Sequence, residues 1–320
     1  MNLGAQDKPI KLGISSCLLG QPVRYDGSRK YDPYINGTLN HYFEFVPVCP
    51  EVAIGLPVPR PPIHLVQQGQ QIRVLGVADH STDVTEALHA YGKKMGNELA
   101  QISGYIFKSA SPSCGVAQVD VSDEEGHTID QAAGAFAHSL MKQLPLLPVE
   151  DEGNLGDELL RDNFIMRVFV YHRWQQMVAG GLTVTRLQGF HANHKYLLMA
   201  HSQSAYKVMG RMLAECDAEN VKVVSCLYME ELMTTLKQPA SCEQHVNVLQ
   251  HLMGYLKTQL DSDDKAELLE VIEQYRQRLV PLIVPITLLK HHFRRHPNEY
   301  IEQQVYLTPQ PQELLLRNLV

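Results

Sequence analysis

The sequence predicts an α/β fold with a mostly parallel, Rossmann-like sheet flanked by helices, followed by an all-α domain. Two observations carry this. Over the first 150 residues, short β-branched and aromatic runs alternate with helical stretches, the pattern of a parallel sheet covered on both faces. Beyond about residue 187 the strand signals stop and helical periodicity takes over. A chain of 320 residues is long enough for two cores. The expected division is 1–150 for the sheet domain, 151–186 for a connecting helix and hinge, and 187–320 for a helical domain with an extended tail.

Residues 9–16 read as the first strand and 42–48 as the second. Between them Val23-Arg24-Tyr25-Asp26-Gly27-Ser28 is loop-like, with Asp-Gly as its turn signal. Pro57, Pro59, Pro61 and Pro62 then fix a stiff, extended path that suits the wall of a pocket and aims Arg60. Gln71–Leu75 is a strand or hairpin arm, and Thr82 is placed to cap a helix running to about Gln101. Gly104–Lys108 reads as a buried strand. A helix is expected from about Ile129 to Gln143, with Ala132-Ala133-Gly134-Ala135 permitting close packing, and a last strand over Leu144–Val149. Asp157 caps a helix to about Met177, along which Arg161, Arg167 and Arg173 recur as a candidate solvated face. Helices follow over roughly 187–216, 228–237, 243–260, 264–279 and 282–295, and Tyr306–Pro311 reads as an extended tail.

Composition narrows the class. Apolar and charged contents of 44% and 20% are those of a soluble globular protein, and no run approaches the roughly 20 apolar residues a membrane span needs. Met1–Lys8 lacks the pattern of a secretory signal, so the expected location is the cytoplasm, where thiols stay reduced. The six cysteines are therefore read as ligands, catalysts or apolar residues before disulfides. A formal charge of −7 argues against a wholly basic nucleic-acid surface but leaves room for a local basic patch.

Three of the cysteines arrive in one manner. Cys17 closes the first strand, Cys49 the second, and Cys114 follows Gly104–Lys108 within Ser109-Ala110-Ser111-Pro112-Ser113-Cys114-Gly115. Ligands of open α/β sheets sit beyond the carboxyl ends of the strands, so three such ends are able to share one site. Zinc favours four ligands, commonly with Cys-x-x-Cys pairs, and no such pair occurs. Three widely spaced thiolates better suit an iron–sulfur centre with one iron lacking a protein ligand. Cys216, Cys226 and Cys242 read as structural thiols.

Five segments in order, Ser16-Cys17-Leu18-Leu19-Gly20, Val23-Arg24-Tyr25-Asp26-Gly27, Cys49-Pro50-Glu51, Gly55–Pro62 and Ser111–Gly115, resemble the thiouracil desulfurase family over about residues 9–150. The resemblance implies a [4Fe-4S] cluster held by Cys17, Cys49 and Cys114, whose open iron takes the sulfur of a thiocarbonyl and releases it as sulfide without net redox change. Phe190–Ser202 resembles the opening of a helical domain attached to longer desulfurases, which are similar to enzymes returning 4-thiouridine in tRNA to uridine. The function expected is thus a tRNA 4-thiouridine desulfidase with no membrane partner. Two alternatives stand beside it: a desulfidase of free thiouracil or thionucleosides, and a non-enzymatic RNA-binding protein with a structural metal.

The residues carry their own chemistry. Glu51, two positions past a ligand, is placed to act as base on the attacking water. Ser111, held extended by Pro112, is a proton relay that the resemblance favours over Ser109 and Ser113. Arg24, Tyr25 and Arg60 are weaker candidates for anion or base contacts. For RNA, Lys290, Arg294 and Arg295 form the dense basic run, and His191, His194 and Lys195 are read as sharing one helix.

Overall fold

The structure, a computed structural model, describes residues 9–311, 314 and 316–318; Met1–Lys8, read for a secretory signal, lies outside them. The chain divides into two compact units, Met1–Asp157 and Glu158–Val320.

In the first unit β1 (Ile10–Ser15), β2 (Phe43–Val48), α1 (Pro50–Ala53), β3 (Ile63–Gln68), β4 (Gln71–Gly76), α2 (Thr85–Glu98), β5 (Gly104–Phe107), β6 (Val119–Ser122), β7 (Thr128–Ala132), α3 (Ala135–Gln143) and β8 (Val149–Asp151) follow in order. One sheet runs β2-β1-β5-β8 and is parallel throughout. Chain order reverses around β1, so the strand ends of β2, β1 and β5 stand side by side at a topological switch point. Every residue of β5 is buried, as a central parallel strand requires. Tyr105 stacks on Phe107 with ring centroids 4.0 Å apart, and Phe136 from α3 closes over both. Gly13 makes this possible, because a Cβ there would stand 2.2 Å from the Tyr105 ring.

A second sheet, β4-β3-β6-β7, mixes antiparallel and parallel pairs and was not expected. It corrects one assignment, and the first sheet corrects another. Residues 128–132 form an edge strand, so the helix expected from Ile129 starts only at Ala135. The last strand begins at Val149 and not at Leu144. Thr82 does not cap α2; its hydroxyl donates to Asp79, while the Asp83 carboxylate accepts the Thr85 N–H at 3.0 Å.

The second unit is helical among its described residues: α4 (Glu158–Ala179), α5 (Val184–Asn193), α6 (Lys195–His201), α7 (Gln203–Ala214), α8 (Val221–Lys237), α9 (Cys242–Gly254), α10 (Ser262–Arg276), α11 (Ile283–Arg295) and α12 (Glu299–Glu302). The single helix expected over 187–216 is broken twice, at His194 and at Ser202, whose hydroxyl caps α7 by accepting the Ala205 N–H. The arginines of α4 are not a solvated face. Arg167 is buried and donates to Asn163, and Arg173 donates to the Pro309 carbonyl. The tail is not simply extended, since Val305–Leu307 make a 3-10 turn with Tyr306 fully buried. Cys226, expected to be structural, is exposed.

Candidate active site

Cys17 lies in the 3-10 turn Ser16–Leu19 directly after β1, and Cys49 is the N-cap of α1 directly after β2. Cys114 ends the loop that leaves β5. Because these strands are adjacent and parallel, all three thiols line one cavity of about 360 Å³. Burial pushes the Cys17 thiol up to about 11, with Lys108 opposing and Cys49 adding to the rise. Burial likewise raises Cys49, against the Val52 N–H at the start of α1, and raises Cys114 strongly, with Glu51 adding to it. The thiols sense one another's charge across the cavity. Among the described residues no three His, Cys, Asp or Glu side chains are gathered tightly enough to hold a single metal ion.

Glu51 lines the same cavity, and both of its oxygens are engaged. Oε2 accepts Arg60 Nε at 2.7 Å and Nη2 at 2.6 Å, and Oε1 accepts the Ser113 hydroxyl at 2.8 Å. The stiff proline segment does wall the cavity, through Arg60 and Pro62. Arg60 does not reach out for a substrate anion, however: its guanidinium is buried and also donates to the Pro57 and Val23 carbonyls. It is a positioning residue for Glu51. Ser111 Oγ accepts the backbone N–H of Ser113 at 3.3 Å and of Cys114 at 3.1 Å, which leaves its own hydrogen to donate from the cavity wall.

Some participants had no signal in the sequence. Lys108 faces the cavity and is tied by a short ion pair to Glu152, whose carboxylate also accepts the Ser109 N–H at 2.6 Å. Ser15 accepts the Lys108 N–H at 3.0 Å, and its hydroxyl bonds to Cys114. Ser113 was named only as a lesser alternative to Ser111, yet it is the serine that touches Glu51.

Residues 12–152 match the family model described as 2-thiouracil desulfurase. A solved structure described as a [4Fe-4S]-dependent thiouracil desulfidase, TudS, is 33% identical in sequence, the match covering 46% of this chain and 94% of that one, with a TM-score of 0.37. The chain belongs to the 2-thiouracil desulfurase family. Residues 195–311 match a second family model, described as a protein of unknown function, DUF1722. Uncharacterized protein YbgA of Escherichia coli (strain K12) is 29% identical over 158 residues, which is 49% of this chain and 94% of that protein.

In the desulfurase unit the Cys114 loop is held from behind by α3. Ala135 N–H donates to the Pro112 carbonyl and Ala137 N–H to the Ser113 carbonyl, so the open N–H groups of the helix start fix the loop. Gly134 permits this approach, since a Cβ there would lie 2.5 Å from the Ser113 carbonyl carbon and 2.8 Å from the Cys114 nitrogen. Neither backbone atom is free to give way. Gly134→Ala is expected to lower stability by about 1–3 kcal/mol and to displace Cys114. Chemical denaturation together with iron retention checks this; unchanged values in both would contradict the packing.

The RNA candidates of the second unit separate. His191 and His194, read as either buried or phosphate-facing, are core residues: His191 bonds Tyr228 and stacks on Tyr206, while His194 Nδ1 donates to the Phe190 carbonyl. Burial lowers them to about 4 and about 3, so both rings are neutral near pH 7. Lys195 starts the next helix and sits over the Tyr196 and Tyr300 rings. Lys290 is half-buried beside Thr308, whereas Arg294 and Arg295 are exposed at the end of α11. No helix among the described residues is long and apolar enough to cross a membrane.

Proposed function

We propose that this protein is a [4Fe-4S]-dependent desulfidase that converts 4-thiouridine in tRNA to uridine, with Cys17, Cys49 and Cys114 holding the cluster. The observation that carries the reading is three soft thiols, with Glu51, lining one cavity at a sheet switch point. Thiolates are the donor set iron–sulfur clusters take. The 33% identity to TudS, described as [4Fe-4S]-dependent, points the same way.

When bound, the cluster supplies a thiophilic Lewis-acid position that draws electrons from the C–S bond. The chain's own residues do the rest. Glu51, aimed by Arg60 and Ser113, takes a proton from the attacking water, whose oxygen bonds to the carbon carrying sulfur. Ser111 donates its hydroxyl hydrogen toward the departing sulfur or the ring. The C–S bond breaks, sulfur leaves as hydrogen sulfide, and water has replaced it with a carbonyl oxygen; no electrons change hands.

Charge supports a division of labour for RNA. Residues 1–157 hold eleven basic and eighteen acidic side chains, whereas 158–320 hold seventeen of each. The −7 thus resides with the cavity-bearing unit, and phosphate contacts fall to the other, where Arg294 and Arg295 are exposed. The family description favours free 2-thiouracil as a second reading. Sulfide release under anaerobic conditions, from bulk tRNA and from free thiouracil, separates them. The tRNA reading expects turnover of tRNA whose KM rises steeply with salt, as counterion release requires. Turnover of the free base alone, indifferent to salt, would overturn it.

A further inference from the structure

The wall of the first cavity also holds Arg24 and Tyr25; a smaller cavity opens wholly among residues of the second unit. It measures about 50 Å³, room for about four waters. Five polar side chains stand on its otherwise apolar wall: Asp162, Asn163, His201, His245 and Arg317. Two of the five are spent. Asn163 Nδ2 donates to the Leu236 carbonyl at 3.0 Å, and its Oδ1 accepts Arg167 Nε at 2.9 Å. Asp162 accepts Gln310 Nε2 at 3.1 Å on one oxygen and the Arg317 N–H at 3.0 Å on the other.

The other three keep open groups. Burial, with Arg317 adding, lowers His201 to about 4 and His245 well below its ordinary range, so both rings are neutral near pH 7. His201 Nδ1 lies 2.7 Å from the Gln238 carbonyl. A carbonyl only accepts, so Nδ1 carries the ring's hydrogen and Nε2 keeps a bare lone pair. His245 Nδ1 is tied at 2.9 Å to the hydroxyl of the fully buried Tyr306, which leaves its Nε2 open as well. Arg317 Nη1 donates to the Tyr306 carbonyl at 2.7 Å, and its guanidinium carbon lies 5.0 Å from the Tyr306 ring. Among the described residues nothing hydrogen-bonds or ion-pairs with Arg317 Nε and Nη2. The backbone beneath is pinned on both sides, by its N–H to Asp162 and by Ile283 N–H donating to its carbonyl at 3.1 Å.

One cavity thus offers a cation with donors to spare beside a lone pair that only a hydrogen can satisfy. A metal ion does not fit, because Arg317 repels it and no three His, Cys, Asp or Glu side chains are gathered to hold one among the described residues. A fitting ligand carries negative charge on some oxygens and a hydrogen on another. We propose that this cavity binds inorganic phosphate as hydrogenphosphate, held by Arg317 while His201 Nε2 accepts its hydrogen. Its four oxygens match the space of about four waters, and a guanidinium edge suits a bidentate oxyanion. The inference does not depend on the desulfidase reading. It is also distinct from binding an RNA backbone, because a phosphodiester has no hydrogen to give.

The test titrates the full chain, purified in phosphate-free buffer, with inorganic phosphate, sulfate and glycerol 3-phosphate by calorimetry. At mildly alkaline pH only inorganic phosphate keeps a hydrogen, since a monoester loses its second one at about pH 6. Wild type is expected to bind phosphate roughly tenfold or more tighter than either comparator, the worth of a buried acceptor left unpaired. Arg317→Met is expected to weaken phosphate by roughly tenfold or more, and Arg317→Lys to recover part of the loss. His201→Phe brings phosphate down to the level of sulfate. Wild type that binds no phosphate, or binds it no tighter than the comparators, would overturn the assignment, as would an affinity unchanged in Arg317→Met. If circular dichroism shows His201→Phe unfolded, the wild-type ratios and Arg317→Met still decide.

Discussion

Cys114→Ala is expected to abolish retention of the iron–sulfur cluster, and Cys17→Ala and Cys49→Ala to do the same. Each thiol reaches the cavity from a different strand end, so none has a neighbour able to take its place. A cluster reduced to two protein ligands loses the corner that fixes it. Cys17 and Cys114 are buried, and alanine at either leaves only a small void, so the fold should persist. Loss of visible absorption and of iron, with far-UV circular dichroism unchanged, is the anticipated result, and sulfide release should drop to background. Full visible absorption in any one variant would remove that cysteine from the ligand set.

Glu51→Gln is expected to lower kcat by roughly 10²–10⁴-fold, the usual worth of a positioned general base, while the cluster spectrum is retained. Glutamine keeps an oxygen for the Ser113 hydroxyl but no longer neutralises Arg60, whose side chain is 4% exposed. Breaking such a buried pair costs about 3–5 kcal/mol, so denaturation has to be measured beside the rate. A fall in kcat with the protein still fully folded and its absorption intact assigns the proton step to Glu51. A rate within a few-fold of wild type would leave Glu51 as no more than the partner of Arg60.

The strands that matter most were legible because each is an apolar run punctuated by a cysteine, and β1, β2 and β5 fall within a residue or so of their expected limits. The second sheet was not. Its edge strand β7 is almost wholly exposed, with Ile129 54% accessible, so no alternation of apolar and polar residues marks it. β6 has only four residues, and β3 starts immediately after prolines that had already been read as pocket wall. Within the site, residue type was enough to single out Glu51 and the cysteines, but not to say which groups pair. Arg60 with Glu51, and Lys108 with Glu152 across 44 positions, are products of the folded chain. The same holds for His191 and His194: a polar letter in a helical pattern does not reveal that the ring is stacked in a core. The serine question shows the limit most clearly, because Ser111 and Ser113 differ by two residues and only the loop's turn sends Ser113 to Glu51.

Iron and acid-labile sulfide, assayed on the full chain after anaerobic purification, most directly test the claim that residues 17, 49 and 114 surround one inorganic centre. About four of each per chain is the expected result, falling together in all three cysteine variants. Stoichiometric zinc without labile sulfide, or iron unaffected by those substitutions, would contradict it.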